Sequence, residues 1–189
     1  MEEKLKQEPS ACLKVVLFGP ESTGKSTLAA RLAAHFETVW VEEYMRYYLQ
    51  KKWGEKRGTC DPHDLMVIAR GQMKNENNQA KTANKVLFCD TDLLQLKVYS
   101  EAYYNGYCNP DLHKHALKNW YDIYFLTNID TPWIPDDLRD KPDDREGMFK
   151  RFKSALKLAK RPFIILEGNE DQRFETAVLA INELLKQQN

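Results

Sequence analysis

The run Leu13-Lys14-Val15-Val16-Leu17-Phe18, followed by Gly19-Pro20-Glu21-Ser22-Thr23-Gly24-Lys25-Ser26-Thr27, decides how this chain is built. Its first six residues form a short β-branched and aromatic stretch closed by a Gly-Pro turn signal, which reads as a buried strand over 13–18. From Lys25 to about residue 36 the pattern becomes Ala- and Leu-rich, which reads as a helix. Between the two, residues 19–26 satisfy G-x-x-x-x-G-K-[ST] at every position, in the strand, loop, helix context that gives the motif its physical meaning. The glycines let backbone N–H groups close around phosphate oxygens, and the helix start adds its positive dipole end. Lys25 can reach the terminal phosphates, and Ser26 can ligate magnesium. Gly19, Glu21, Ser22, Thr23, Gly24, Lys25, Ser26 and Thr27 are therefore the expected ATP contacts, with Mg2+ as the accompanying ion.

Outward from this loop, apolar runs and helical patterns alternate. Strands are expected over 38–41, 86–89, 122–126 and 163–166. Helices are expected over 44–52, ended by Gly54 and Gly58, from Pro62 toward Lys81 behind an Asp61 N-cap, over 93–104, over 145–160 and over 171–186. Strands separated by helices pair in parallel through right-handed crossovers, so the expected fold is an α/β P-loop domain: an open parallel sheet of about five strands with helices on both faces and a charged lid. Residues 1–12, polar and interrupted by Pro9, read as a flexible leader ahead of one domain over 13–189.

Composition narrows the function classes. The 189 residues carry 28 basic and 28 acidic side chains, a net charge of zero that offers no electrostatic footprint for nucleic acid or an anionic membrane. No apolar run approaches the roughly 18 residues of a membrane span, and the charged N-terminus lacks a secretory h-region. Cys12, Cys60, Cys89 and Cys108 are widely spaced with no C-x-x-C pair, which suits reduced thiols in a cytoplasmic protein. The histidines show no H-E-x-x-H and the serines no G-x-S-x-G. Expected partners are a small-molecule substrate and neither nucleic acid nor membrane, with room left for a homo-oligomer.

Phosphoryl transfer also needs carboxylates, and two clusters stand at the carboxyl ends of strands, where open sheets bind ligands. Asp90, after Val86-Leu87-Phe88-Cys89, has the form of a Walker B acid, with Asp92 two residues on; both could equally cap the following helix. Glu42 and Glu43 could touch a substrate hydroxyl as base or acceptor, or could simply be first-turn helix charge; which one faces inward is not decided by sequence. The charged run over 136–145 reads either as a solvated loop or as a lid whose Arg139 and Arg145 close over the phosphates. Aromatic residues such as Tyr44, Tyr99 and Trp133 near these acids would suit a flat cationic ligand, though for any one of them core packing is the favoured reading.

The blocks GPESTGKST, VEEYMR, CDTDLLQLKVYSEAYY, NIDTPWIPDDLRD, DREGMFKRF and EGNEDQRFETAV together resemble the bacterial ribosylnicotinamide kinase family, similar to the C-terminal kinase domain of NadR-type proteins, over about residues 14–180. The resemblance implies ATP-dependent phosphorylation of the 5′-hydroxyl of nicotinamide riboside to give nicotinamide mononucleotide. It carries the kinase activity alone, because neither a helix-turn-helix nor an adenylyltransferase motif precedes the phosphate loop. The resemblance places Asn169 and Arg173, with Gly168, beside adenine; the motif reading expects Lys25, Asp90, Asp92, Arg139 and Arg145 in catalysis, Ser26 and Asp90 on the metal, and Glu42, Glu43, Tyr44, Asp92 and Trp133 on the nucleoside. Another P-loop nucleoside or nucleotide kinase, or a regulatory ATPase switch, shares the phosphate-binding parts and stays open as an alternative.

Overall fold

A computed structural model describes residues 2–56, 60–133 and 144–187. Five parallel strands, β1 (Leu13–Phe18), β2 (Trp40–Val41), β3 (Val86–Asp90), β4 (Ile123–Thr127) and β5 (Phe163–Leu166), form one sheet in the order β2-β3-β1-β4-β5. Among the described residues seven helices accompany them: α1 (Lys25–His35), α2 (Tyr44–Lys56), α3 (Pro62–Gln79), α4 (Leu93–Tyr103), α5 (Pro110–Lys118), α6 (Arg145–Leu158) and α7 (Glu170–Gln187). The expected α/β P-loop architecture is what the chain adopts.

The alternation of side chains along β1 divides the interior in two. Leu13, Val15 and Leu17 meet Leu28, Ala29 and Leu32 of α1 and Ala177 and Ile181 of α7. Val16 and Phe18 point the other way, into a larger core with Ile68 and Met73 of α3, Leu93 and Leu94 of α4, and Phe152 of α6. Because both faces are covered, the strand is apolar throughout except for Lys14, whose ammonium is neutralised 3.0 Å away by the buried Glu76. β1 lies between β3 and β4, so the sheet order reverses there, and a crevice opens beyond the carboxyl end of β1 where the phosphate loop emerges.

Two expectations are corrected and one element is added. The leader is docked, not loose: Glu2–Leu5 forms a 3-10 turn, Leu5 is fully buried in the larger core, and its carbonyl accepts from Asn119 Nδ2. Asn77 then pairs with the backbone of Lys6 and Glu8, so a polar segment is held by one apolar anchor and side-chain amides. α2 continues past Gly54 to Lys56, because Tyr48 and Lys52 bond the α3 start at Asp61 and Asp64, outweighing a glycine cost of ~1 kcal/mol. α5 was not expected at all, although Asn109 caps it and Pro110 opens it, a signal the sequence carries.

Candidate active site

The loop between β1 and α1 is built to hold anions. Gly24, at φ 80°, occupies the left-handed N-cap of α1, a conformation that costs a glycine nothing. Gly19, at φ 132°, passes so close to β4 that a Cβ there would sit 2.9 Å from Thr127 Oγ1. The Gly19 N–H donates to Gln95 Oε1 at 3.1 Å. The Thr23 hydroxyl is buried and spent inside the loop, donating to the Pro20 carbonyl at 2.8 Å and lying 2.6 Å from Thr127 Oγ1. Lys25 Nζ donates to the Pro20 carbonyl at 2.7 Å, within the loop that a phosphate chain would fill.

At the end of β3, the Ser26 hydroxyl bonds Asp90 Oδ2, while Asp90 Oδ1 is buried with no partner. Burial, then the neighbouring Glu43 charge, pushes the Asp90 carboxyl up to about 7, opposed by Lys25. A hydroxyl and an orphaned carboxylate oxygen side by side fit Mg2+, which takes one or two protein oxygens and completes its octahedron with phosphate and water. Among the described residues no group of three or more His, Cys, Asp or Glu gathers elsewhere in a metal-ligand arrangement.

Two clefts flank the loop and share Ser22, Thr23, Gly24 and Thr27. One, of about 150 Å³, is completed by Glu43, Arg46, Leu49 and Tyr99. Glu43 is therefore the inward acid and Glu42 the exposed one, a choice the sequence left open. The other cleft, of about 410 Å³, is bounded by Arg31, Thr131, Pro132 and Asn169. Arg31 stacks 4.1 Å from the Phe174 ring and pairs with Asp171 at 2.8 Å.

Several expected contacts sit elsewhere. Asp92 is 1% exposed, and its oxygens accept from Gln95 N–H at 2.9 Å and Tyr124 Oη at 2.8 Å. The carboxylate therefore caps α4 behind the site and has no face free for a ribose; its burial lifts it to about 6. Tyr44 lies against α3, away from the phosphate loop, and Trp133 packs 5.6 Å from the Arg145 guanidinium; neither lines the two clefts beside the loop. Arg173, expected beside adenine, lines the wider cleft and also braces it: its guanidinium donates to the carbonyls of Thr23, Asn128 and Gly168 and pairs with Asp130. Asn169 lines the wider cleft and exchanges hydrogen bonds with Gln172 at the α7 start. Among the described residues Arg145 donates to the Thr131 carbonyl at 2.9 Å, and its Nε and Nη2 are buried without partners. Arg139 lies outside the described residues. Tyr99, named among the aromatic candidates, lines the smaller cleft. Arg46, Gln95 and Thr127 were not anticipated, since each reaches the loop from a remote part of the chain and no local motif marks it; Arg31, farther along α1, was not anticipated either.

Loop, crevice and twin clefts define a P-loop nucleotide-binding α/β protein. A family model described as an AAA domain matches residues 14–173, and the chain belongs to that family. It is 30% identical over 177 residues to the trifunctional NAD biosynthesis/regulator protein NadR of Salmonella typhimurium, covering 92% of this chain and 43% of that protein. The resemblance to NadR-type proteins is thus borne out, and the chain spans less than half the length of that relative. A NadR crystal structure in complex with NR superposes with a TM-score of 0.71 at 22% identity, over 92% of this chain and 51% of the other. Thymidylate kinase from Ehrlichia chaffeensis shares the fold, with a TM-score of 0.62 at 14% identity over 91% of this chain and 99% of the other. No helix among the described residues is long and apolar enough to cross a membrane.

Proposed function

We propose that this chain transfers the γ-phosphoryl group of Mg–ATP to the 5′-hydroxyl of nicotinamide riboside, giving nicotinamide mononucleotide for NAD salvage, as one kinase domain that includes its docked N-terminal segment. The observation that carries the reading is the arrangement of two clefts around one phosphate loop, with an acid on the side opposite the nucleotide base. In this reading ATP lays its adenine in the cleft beside Arg31 and Asn169 and its phosphates along the loop. The N–H groups at the α1 start and Lys25 balance the phosphate charge. Ser26 and Asp90 would hold Mg2+, which supplies neutralisation of the charge shared by the β and γ oxygens. Glu43 stands where it can accept the hydroxyl proton or its hydrogen bond, and Arg46 lines the same cleft. The two unpartnered nitrogens of Arg145 suit phosphate oxygens, and Arg139 would join it in the lid.

The acceptor preference rests on an aromatic wall with acids in the same cleft. Tyr99 shares the cleft with Glu21 and Glu43, whose charges, after its burial, raise its hydroxyl's pKa. Lys25 and Arg46 balance those acids, so the ring, with Glu43 in the same cleft, is what favours a pyridinium over a neutral base. The NadR relative, whose name states NAD biosynthesis, and the NR-bound structure of similar fold support the same substrate. Four free cysteines support a cytoplasmic setting. The test is a competition of acceptors: kcat/KM for nicotinamide riboside against deoxyadenosine, cytidine and thymidylate, with the product identified by mass. Preference for the pyridinium nucleoside is expected; turnover confined to the deoxynucleosides or thymidylate would replace the substrate assignment with the other kinase reading.

A further inference from the structure

Gln72 lies midway along α3, 1% exposed, on the face that carries Leu65, Ile68, Ala69 and Met73 into the core. An amide is retained in such surroundings when its polar atoms have partners. Its Oε1 accepts the Tyr44 N–H at 2.8 Å, and its Nε2 lies 3.5 Å from both the Asp90 and the Thr91 carbonyl oxygens. These partners fix which way the amide faces, because the reverse orientation would set donor against donor and acceptor against acceptor. Tyr44 directly follows Glu43, so one side chain touches the backbone of both loops that bring acids to the cleft.

Two further features bear on the same junction. Thr91, immediately after Asp90, is a β-branched residue at φ 70°, a conformation that persists only where its surroundings hold it. Its N–H donates to the Leu17 carbonyl at 3.1 Å, and the Gln72 amide approaches its carbonyl from α3. The neighbouring Gly71 seats the Tyr44 ring on bare helix backbone: a Cβ at Gly71 would stand 2.1 Å from the ring's Cε1. Two successive residues of α3 therefore grip the start of α2.

We infer that Gln72 is a positioning residue that sets the spacing between Glu43 and the Asp90 metal-binding carboxylate, with Gly71 as its steric partner. The inference rests on the kinase reading of the site. Gln72 touches neither the phosphate loop nor the adenine-side cleft, so its loss should fall on transfer to the acceptor and spare nucleotide binding. Gln72→Met keeps length and removes both polar arms; Gln72→Glu keeps the acceptor for Tyr44 and removes the donor. Gly71→Ala disturbs the junction from the ring side.

Each variant is compared with wild type by steady-state kinetics and by titration of Mg–ATP binding. Gln72→Met should lower kcat by about thirtyfold while the Kd for Mg–ATP stays within about threefold, with Gln72→Glu between it and wild type and Gly71→Ala showing the same split. A folded Gln72→Met with kcat within about twofold of wild type, or with nucleotide affinity falling in step with kcat, overturns the inference. If Gln72→Met does not fold, Gln72→Glu decides: reduced kcat at retained affinity supports the role, and unchanged kcat removes it. Failure of wild type itself on nicotinamide riboside counts against the substrate reading alone. The variants are then read on the best acceptor among deoxynucleosides and thymidylate, or on ATP hydrolysis by water, with the same split deciding.

Discussion

Replacing Arg173 by Met is expected to separate the scaffold of the nucleotide pocket from its acceptor side. The guanidinium is 3% exposed and holds the Thr23 carbonyl at 2.7 Å, the Gly168 carbonyl at 2.9 Å and the Asn128 carbonyl at 3.1 Å, besides its ion pair with Asp130. Its removal takes the donor from three carbonyls, one of them part of the phosphate loop, and the ion pair from Asp130, which is exposed and keeps the Gly168 N–H. Losing these partners costs about 2–4 kcal/mol. For a chain of this size that corresponds to a fall in Tm on the order of 10 °C. Because the Thr23 carbonyl and the α7 start border the wider cleft, the ATP KM should rise about tenfold, whereas the acceptor KM should stay within about threefold. Arg173→Lys keeps the charge facing Asp130 but only part of the carbonyl set, so it should recover about half the lost stability. Thermal melts and steady-state kinetics measure both effects. A Tm within about 2 °C of wild type, or an acceptor KM rising in parallel with that for ATP, would refute the strut role.

Two other substitutions probe the loop's supports. Asp92→Asn preserves the α4 cap and removes a buried charge. The wild-type carboxyl is raised to about 6, so the folded state binds more protons than the unfolded one between about pH 4 and 6 and loses stability, on the order of 3 kcal/mol, as pH rises through that window. The variant's melts should lack this decline and its kcat should stay within about threefold of wild type; a large loss of kcat would return Asp92 to the reaction itself. Gly19→Ala places a methyl 2.9 Å from Thr127 Oγ1 and 3.1 Å from its carbonyl oxygen, at a φ that disfavours a side chain, and should cost roughly 1–3 kcal/mol together with most Mg–ATP affinity, read by calorimetric titration. Unaltered nucleotide binding would show that the loop does not need this approach to β4.

The sequence made legible what is contiguous. Strand, glycine loop and α1 follow one another in the chain, so the phosphate site could be placed residue by residue, and the alternation of apolar runs with helical patterns anticipated the parallel sheet. Asp90 was placed because a strand end is itself a local feature. What stayed hidden depends on packing between remote segments. The path of the loop between β2 and α2 selects Glu43 over Glu42, and the face of α2 that meets the cleft adds Arg46; neither follows from identity alone. Asp92 looked like a ligand because charged residues beside motifs usually invite that reading, but burial made it a helix cap; Arg173 lines the wider cleft and is a brace as well, a second role that its sequence neighbours do not reveal. Leu5 shows the reverse: one apolar side chain in a polar leader, helped by the Asn77 and Asn119 amides, docks it on the core.

The central claim is that the loop carries phosphate to an acceptor hydroxyl and keeps water from taking it. The direct measurement is the stoichiometry of ADP against nicotinamide mononucleotide, by chromatography, with Mg–ATP in the presence and absence of nicotinamide riboside. The account predicts one ADP per mononucleotide and an ADP release slower by about a hundredfold or more when the acceptor is omitted. Equal ADP release with and without acceptor, and no mononucleotide formed, would contradict it and mark the chain as a nucleotide-driven switch.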